Sequence, residues 1–220
     1  LLDKKVVVFG GLEGDMQKNT LRSFSAENPY LGANVALFHT NKLLDLYGGL
    51  MGGLKGGLNY KLKLSSASYK YLSFYNNSVT DSSQFTVLYN TDPLNVITVS
   101  GEIGYEVSGD FRIALATSYF KYNVINVEKA WHRPDYTGSI LATYNLNKKV
   151  YFNADFYYIG GLRGKNYLTG QEVYLKEIAD LNIKVDYLFS KSFSTFIEVN
   201  NILSQKYQRY LYYSLSLIHI

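Results

Sequence analysis

The feature of this sequence that most restricts its fold is a strict period-two alternation of apolar and polar residues in long runs. The clearest run alternates through Ala179, Asp180, Leu181, Asn182, Ile183, Lys184, Val185, Asp186 and Tyr187. Successive side chains of a strand point to opposite faces, whereas a helix would mix the two sets on every face. The run therefore predicts a β-strand with one apolar face and one polar face.

Three other runs show the same alternation, and each keeps one face apolar. Their apolar sets are Tyr60, Leu62 and Leu64; Ile97, Val99, Ile103, Tyr105 and Val107; and Phe152, Ala154, Phe156 and Tyr158. Several of the runs last about ten residues, which is the length that a tilted strand needs to cross a bilayer. Strands of globular proteins most often have about five or six residues. Run length therefore favours strands that cross a membrane.

The charged residues of these runs lie on the predicted polar faces. Four of them come from the runs near the C-terminal end: Asp155, Asp180, Lys184 and Asp186. A Lys or Arg that faces lipid at the bilayer midplane costs about 2–4 kcal/mol, whereas a charge that faces a water-filled lumen costs little. We interpret the four residues as lumen-facing groups of a solvated barrel wall. A relay that contacts a substrate is the alternative for the same cluster.

The connections between the runs alternate in length. Short turns are predicted at residues 55–57, 108–110, 147–148 and 190–192, and longer polar loops near residues 75–84, 123–134 and 160–176. Outer-membrane barrels have this alternation, with short turns on the periplasmic side and long loops outside the cell. The sequence therefore predicts an all-β fold, an antiparallel transmembrane β-barrel that is incomplete. We expect about ten or eleven strands of a larger barrel, with residues 1–214 as the partial barrel domain.

Composition agrees with a wall that lies in a bilayer. The chain has 22 Tyr and 12 Phe at a hydrophobic fraction of 47%. Tyrosine suits places where an apolar region meets water, which include both edges of a membrane. No stretch approaches the roughly 20 apolar residues of a membrane-spanning helix. The net charge of +4 is modest and its Lys and Arg residues are scattered, so no nucleic-acid partner is expected.

Motifs for catalysis or metal binding are not found. The three histidines, His39, His132 and His219, lie far apart without a nearby ligand at zinc-site spacing. Residues 160–166 are rich in glycine but lack the spacing and the Ser or Thr of a phosphate loop. Serine residues are present without a nucleophile-elbow context. The sequence therefore predicts no metal site, no cofactor and no enzymatic activity.

Several segments resemble parts of a known family of barrels. They are residues 10–14 followed by 27–30, residues 130–134, residues 179–182, and residues 199–203 with Tyr207. They look like barrel segments of the TonB-dependent outer-membrane receptors of Bacteroidetes-type bacteria, and the likeness covers nearly the whole chain. The resemblance implies a barrel of about 22 strands in the outer membrane of a Gram-negative cell. It also implies that the plug and the first strands precede Leu1.

The resemblance further implies a function and a set of partners. The function is energy-coupled uptake of a large, scarce ligand such as a glycan or a chelated metal. The partners are outer-membrane lipid, an N-terminal plug domain, the TonB complex and a surface lipoprotein. A plugless porin-like or structural barrel has the same wall and is the alternative. A soluble β-sandwich adhesin is a third reading, which predicts short strands and a second buried face.

Aromatic and cationic residues in the long loops are the candidate ligand contacts. They are Tyr75, Trp131, Arg163, Lys165 and Tyr167. Aromatic faces stack on sugar rings or planar chelators, and Arg or Lys attract anionic groups. A place in the aromatic belt at the membrane edge is the alternative for each aromatic residue.

The C-terminal end departs from the family, whose last strand ends in an aromatic residue. Residues 215–220 read Leu-Ser-Leu-Ile-His-Ile, which is the translation of a transposon-end adapter used in sequencing libraries. We therefore interpret residues 215–220 as a non-native, adapter-derived tail. An ordinary apolar final strand is the alternative.

Overall fold

The computed structural model describes residues 6–107 and 109–215, with only the backbone of Leu215. In chain order the elements are β1 (Val7–Gln17), α1 (Leu21–Glu27), β2 (Thr40–Leu54), β3 (Leu58–Lys70), β4 (Ser73–Asn77), β5 (Phe85–Tyr89), β6 (Leu94–Val107), β7 (Phe111–Asn123), β8 (Tyr136–Leu146), β9 (Val150–Gly160), β10 (Arg163–Lys165), β11 (Glu172–Tyr174), β12 (Ile178–Ser190), β13 (Phe193–Val199), β14 (Tyr207–Tyr210) and β15 (Tyr213–Leu215). The predicted tail therefore lies outside the described residues, apart from Leu215.

Nine long strands form one antiparallel sheet in the order β1-β2-β3-β6-β7-β8-β9-β12-β13. The six short strands form three separate hairpins, β4-β5, β10-β11 and β14-β15. The sequence predicted about ten or eleven strands in the wall, and the structure has nine. The difference arises because the short strands pair with one another inside the connections. The predicted all-β, antiparallel, incomplete barrel is confirmed.

Consecutive strands run in opposite directions, so the connections alternate between the two ends of the sheet. Short turns at residues 55–57, 109–110, 147–149 and 191–192 lie at one end, which we call the turn end. Residues 18–39, 71–93, 124–135, 161–177 and 200–215 lie at the other end, which we call the loop end. The predicted alternation of tight turns and long loops is confirmed.

The strand register confirms the two predicted faces. Leu64 pairs with Val99, and Val99 pairs with Tyr119, so these three residues lie on one face, the apolar face. The other face, the polar face, carries Asp155, Asp180, Lys184 and Asp186. Asp155 of β9 pairs with Asn182 of β12, and residues 180, 184 and 186 lie on the same face of β12 as Asn182 because they are an even number of positions away from it. Directly paired residues of a sheet share a face, which makes this assignment independent of side-chain conformation.

Aromatic rings of the first two strands lie over glycines of the facing strand. A Cβ atom on Gly49 would lie 2.5 Å from the Phe9 ring and 2.1 Å from the carbonyl oxygen of Leu62. A Cβ atom on Gly11 would lie 2.7 Å from the Tyr47 hydroxyl oxygen. Glycine at these two positions therefore makes room for the rings and the neighbouring backbone.

Among the described residues, β1 pairs only with β2, and β13 pairs only with β12. The sheet is therefore open, with one unpaired edge on each of these two strands. No helix in the described part of the chain is long and apolar enough to cross a membrane.

Candidate ligand site in the loop cap

The core of the molecule lies at the loop end. We call the five connections at this end, residues 18–39, 71–93, 124–135, 161–177 and 200–215, the cap. The largest fully buried side chains all lie in the cap or at the strand ends beneath it: Tyr75, Phe24, Phe74, Phe85, Leu94, Leu162, Ile178, His132, Asn28 and Asn90. The cap is therefore a packed unit rather than a set of independent loops.

Three apolar clusters hold the cap together. The first joins Phe74, Leu94, Val96, Val127 and Trp131, the second joins Leu162, Leu175, Ile178, Tyr207 and Leu211, and the third joins Phe24, Tyr75, Phe85 and Tyr210. Each cluster draws on at least two connections. Leu94 and Val96 belong to the polar face, because they pair with Tyr69 and Ala67. The cap therefore folds over the polar face of the sheet at its loop end.

His132 links four of these connections. Its Nδ1 lies 2.8 Å from the carbonyl oxygen of Tyr75, and its Nε2 accepts a hydrogen bond from the backbone N–H of Leu211 at 3.2 Å. Its own backbone N–H donates to the carbonyl oxygen of Arg163. Because a backbone N–H only donates, Nε2 carries no proton and Nδ1 is the donor. Burial lowers the pKa of His132 to about 4, so the ring is neutral at pH 7.

Glu27 at the end of α1 forms a second junction. Its carboxylate accepts a hydrogen bond from the Tyr75 hydroxyl at 2.7 Å, and it lies 3.5 Å from the Arg133 guanidinium. The Tyr210 hydroxyl donates to its backbone carbonyl oxygen. Burial is the main cause that raises the pKa of Tyr75, and the Glu27 carboxylate raises it further. Both phenols therefore remain protonated donors.

Two of the predicted ligand residues are buried. Tyr75 is 1% exposed and Trp131 is 2% exposed. Tyr75 packs against Phe24 and Tyr210, and Trp131 packs in the first cluster. The structure places both residues in the connections at the loop end, but neither ring presents a free face to solvent.

The two predicted cations already have carboxylate partners. Arg163 is hydrogen-bonded to Asp135, lies 3.6 Å from Glu172 and stacks over the Tyr174 ring at 5.4 Å from its centroid. Lys165 Nζ lies 2.5 Å from a carboxylate oxygen of Glu128. A ligand that carries anionic groups would therefore compete with these carboxylates for the cations.

Tyr167 is half-exposed and lines an open cleft on the surface of the cap. The other residues of the cleft are Ser82, Ser83, Asn166, Leu168, Tyr212 and Tyr213. The Tyr167 and Tyr212 rings meet edge to face at 5.7 Å, and Tyr213 stacks on Tyr30 at 3.6 Å. Tyr212 has a φ of 74°, in the left-handed region that a large side chain rarely adopts. Sequence reasoning missed Tyr212 and Tyr213, since no local pattern connects them with Tyr167.

The geometry is that of an incomplete antiparallel barrel, an open sheet of nine strands whose long loops close over its polar face. No family model and no curated protein matches the chain. Solved structures match its fold, and the neighbours are TonB-dependent outer-membrane receptors. The pyoverdine outer membrane receptor FpvA from Pseudomonas aeruginosa PAO1 matches with a TM-score of 0.64 and 13% identity, over 95% of this chain and 31% of the receptor.

Two further neighbours give the same result. The ferric-catecholate import receptor Fiu from E. coli K12 has a TM-score of 0.61 at 12% identity, over 94% of this chain and 29% of Fiu. The copper transporter OprC has a TM-score of 0.59 at 11% identity, over 94% of this chain and 32% of OprC. The chain thus spans about a third of the length of these proteins. At such low identity, the likeness establishes the barrel fold.

Proposed function

We propose that this chain is part of the barrel wall of an outer-membrane receptor of a Gram-negative cell, of the Bacteroidetes type, that takes up a large, scarce ligand by TonB-dependent energy coupling. The observation that carries the proposal is a sheet with one face suited to lipid and one suited to water. A packed cap covers the polar face at its loop end. Transmembrane barrels have an apolar outer band and a polar interior.

The apolar face is too exposed for a protein surrounded by water. Leu62 is 54% exposed, Leu64 57% and Ile103 48%, and none of the described elements packs over them. Soluble monomers rarely expose continuous apolar patches larger than a few hundred Å². The nine-stranded single sheet and its long strands also argue against the β-sandwich adhesin, which requires a second sheet packed on this face.

Aromatic pairs mark both ends of the apolar face. Tyr136 stacks with Tyr158 near the loop end, and Tyr144 stacks with Phe152 near the turn end. On β8 the two tyrosines are separated by about 26 Å along the strand. For strands tilted by about 40°, this separation corresponds to roughly 20 Å along the membrane normal, which is comparable to an apolar band about 25 Å tall between two aromatic girdles.

A matched pair of substitutions on β8 tests the membrane assignment. Ile140 lies on the apolar face and Leu141 on the polar face, and both are apolar and similarly exposed, at 37% and 50%. Ile140→Arg should destabilise the intact receptor by about 2–4 kcal/mol in membranes, whereas Leu141→Arg should be tolerated. Heat-modifiable mobility on gels measures the folded barrel in outer-membrane fractions. Equal tolerance of both substitutions would contradict the assignment.

The ligand contacts proposed for the cap are Arg163, Lys165 and Tyr167. Tyr167 is exposed and the side chains of Arg163 and Lys165 are partly exposed, whereas Tyr75 and Trp131 are buried and support the shape of the cap from within. The three residues belong to one connection but line different clefts. A glycan and a chelated metal are the two ligand classes that an exposed aromatic ring and cations on the same connection suit. The neighbours are transport receptors rather than enzymes, which is consistent with a chain without enzymatic activity.

Growth and uptake assays test the import function. Cells that lack the intact gene should lose uptake of one glycan or one ferric chelate, and the intact gene should restore it. Tyr167→Ala should weaken that uptake, whereas Phe38→Ala, an exposed cap aromatic outside the cleft, should not. Unchanged growth on every glycan and every ferric chelate would remove the import proposal.

Import is favoured over a plugless porin-like barrel by the cap. Its hydrogen bonds through His132 and Glu27 tie connections together over the polar face, where an open channel would need a free mouth. The polar face toward the turn end is left uncovered by the cap, and it is the surface that we propose contacts a plug domain. Coupling to the TonB complex and to a surface lipoprotein belongs to the same proposal.

A further inference from the structure

The apolar face changes character at its loop end. Across β3, β6 and β7 the last fully apolar row is Leu64, Val99 and Tyr119. Beyond it the register places Ser66 beside Ile97 and Lys121, then Ser68 beside Asn95 and Asn123, while Lys70 ends β3. We call Ser66, Ser68, Lys70, Asn95, Lys121 and Asn123 the collar. The collar therefore lies just outside the apolar band, on the side that faces lipid in the proposed function.

Charge on the apolar face is confined to the collar. Among the described residues of the nine strands, Lys70 and Lys121 are the charged residues that the register places on this face. The carboxylates of the strands all lie on the polar face, and neither lysine is within 4.0 Å of a carboxylate in the described part of the chain. Two like charges at one end, with no acidic partner, create a local positive surface.

The collar also offers neutral hydrogen-bond donors beside the lysines. The Asn95 amide donates to Ser66 Oγ at 3.1 Å, and the Lys70 ammonium lies 5.2 Å from the Tyr71 ring centroid. Ammonium groups with nearby amide and hydroxyl donors suit a phosphate, which offers several acceptor oxygens. Tyr119 lies in the last apolar row, next to the collar, where an aromatic residue at the membrane edge is expected. The collar therefore lies at the level of lipid headgroups.

We propose that the collar binds the phosphate groups of lipids in the outer leaflet around the barrel. This inference rests on the proposed membrane location of the wall. The bound lipid is one with a phosphate-bearing headgroup, such as lipid A, held by Lys70 and Lys121. Juxtamembrane lysines typically strengthen binding to anionic lipid surfaces about five-fold each.

The test uses the intact receptor, purified from outer membranes in mild detergent. Lys70→Gln combined with Lys121→Gln should retain several-fold less lipid A than the unaltered receptor, measured by mass spectrometry of the extracted lipid. Lys61→Gln combined with Lys63→Gln is the matched control, since these lysines lie on the polar face of β3. The control should retain lipid A normally, and Lys70→Arg with Lys121→Arg should restore retention.

A second measurement separates phosphate recognition from general lipid effects. Added lipid A should raise the thermal midpoint of the unaltered receptor more than that of the collar variant, and dephosphorylated lipid A should abolish this difference. Equal lipid A retention by the collar variant and the unaltered receptor would overturn the inference. In that case, a heat-modifiable barrel in outer-membrane fractions would still support the proposed membrane location. If no such barrel were found, both the lipid inference and the proposed function would be removed.

Discussion

The buried imidazole of His132 illustrates how one residue shapes the cap. Its ring lies between Phe85 and Tyr210, with centroids 5.2 Å and 5.6 Å away. A positive charge there would be unfavourable, because burial removes water and Arg209 adds repulsion. The neutral ring instead uses both nitrogens, one to donate and one to accept. A protonated Nε2 would place a donor against the Leu211 N–H.

The first residue-scale prediction is that acid weakens the cap through His132. An opened cap would take up a proton near the ordinary pKa of 6.5, whereas the closed cap does so only near 4. The closed cap is therefore fully stabilised above about pH 6.5 and loses up to about 3 kcal/mol as pH falls through this window. The opening is measured by the protection factors of residues 207–215 in hydrogen–deuterium exchange at about pH 7 and pH 5, each corrected for the intrinsic exchange rate at that pH.

His132→Gln provides the control for this prediction. Glutamine offers one donor and one acceptor but does not titrate. The variant should therefore not show the acid-dependent fall in protection. If its protection fell in acid as much as that of the unaltered protein, another group would be responsible.

The second residue-scale prediction concerns neighbouring glycines of β2. Gly49→Ala would force a methyl group against the Leu62 carbonyl oxygen at 2.1 Å and the Phe9 ring, whereas a Cβ atom on Gly48 meets only ordinary contact at 3.7 Å. Gly49→Ala should therefore destabilise the barrel by about 1–3 kcal/mol, and Gly48→Ala should not. Denaturant unfolding of the intact protein in detergent compares them. Equal midpoints would show that the wall relaxes around the added methyl group.

At the scale of elements, the cap derives its order from junctions between connections rather than from its short hairpins. The hairpins have strands of only three to five residues. Isolated two-stranded hairpins are marginally stable in water, so packing between connections must supply the rest. Glu27 is one such junction because it joins α1 to residues 75 and 133.

We predict that Glu27→Gln loosens the cap. The substitution removes a charged acceptor from the Tyr75 hydroxyl and from Arg133, which should cost about 1.5 kcal/mol or more. Amide exchange in residues 18–39 and 71–93 should accelerate. Glu102→Gln is the control, since its ion pair with Lys61 is exposed on the wall and should contribute less than about 1 kcal/mol. Unaltered exchange in the Glu27 variant would argue that the apolar clusters alone hold the cap.

At the scale of the whole molecule, the sheet has an apolar face, a polar face and two unpaired edges. The edges are β1 and β13, and every described residue of β13 is exposed. Unpaired backbone groups are costly in lipid and promote aggregation in water. The backbone groups on the free edges of β1 and β13 therefore require further strands as hydrogen-bond partners.

The whole-molecule prediction is that residues 4–213 expressed alone give insoluble material. The exposed apolar face and the free edges of β1 and β13 should both promote association. Size-exclusion chromatography after expression in the cytoplasm measures the outcome. A monodisperse, soluble monomer would count strongly against the barrel.

The sequence by itself determined the strands, their two faces and the alternation of turns and loops. A strand places successive residues on opposite faces, so the run from Ala179 to Tyr187 and the charges Asp155 and Lys184 could be assigned to faces without a structure. Tight turns are local as well, since glycines such as Gly56 supply the positive φ that they require. The strand number was less accurate, because local pattern does not show whether a short strand joins the wall.

Only the tertiary structure decided which loop residues are buried and which are accessible. His132 and Leu211 are 79 positions apart, and Tyr210 and Glu27 are 183 apart. Trp131 and Tyr75 are residue types that suit exposed ligand contacts, yet both lie inside the cap. Tyr212 instead contacts Tyr167 at the surface. Burial of a loop side chain depends on segments that are distant along the chain, and no local periodicity encodes which of them meet.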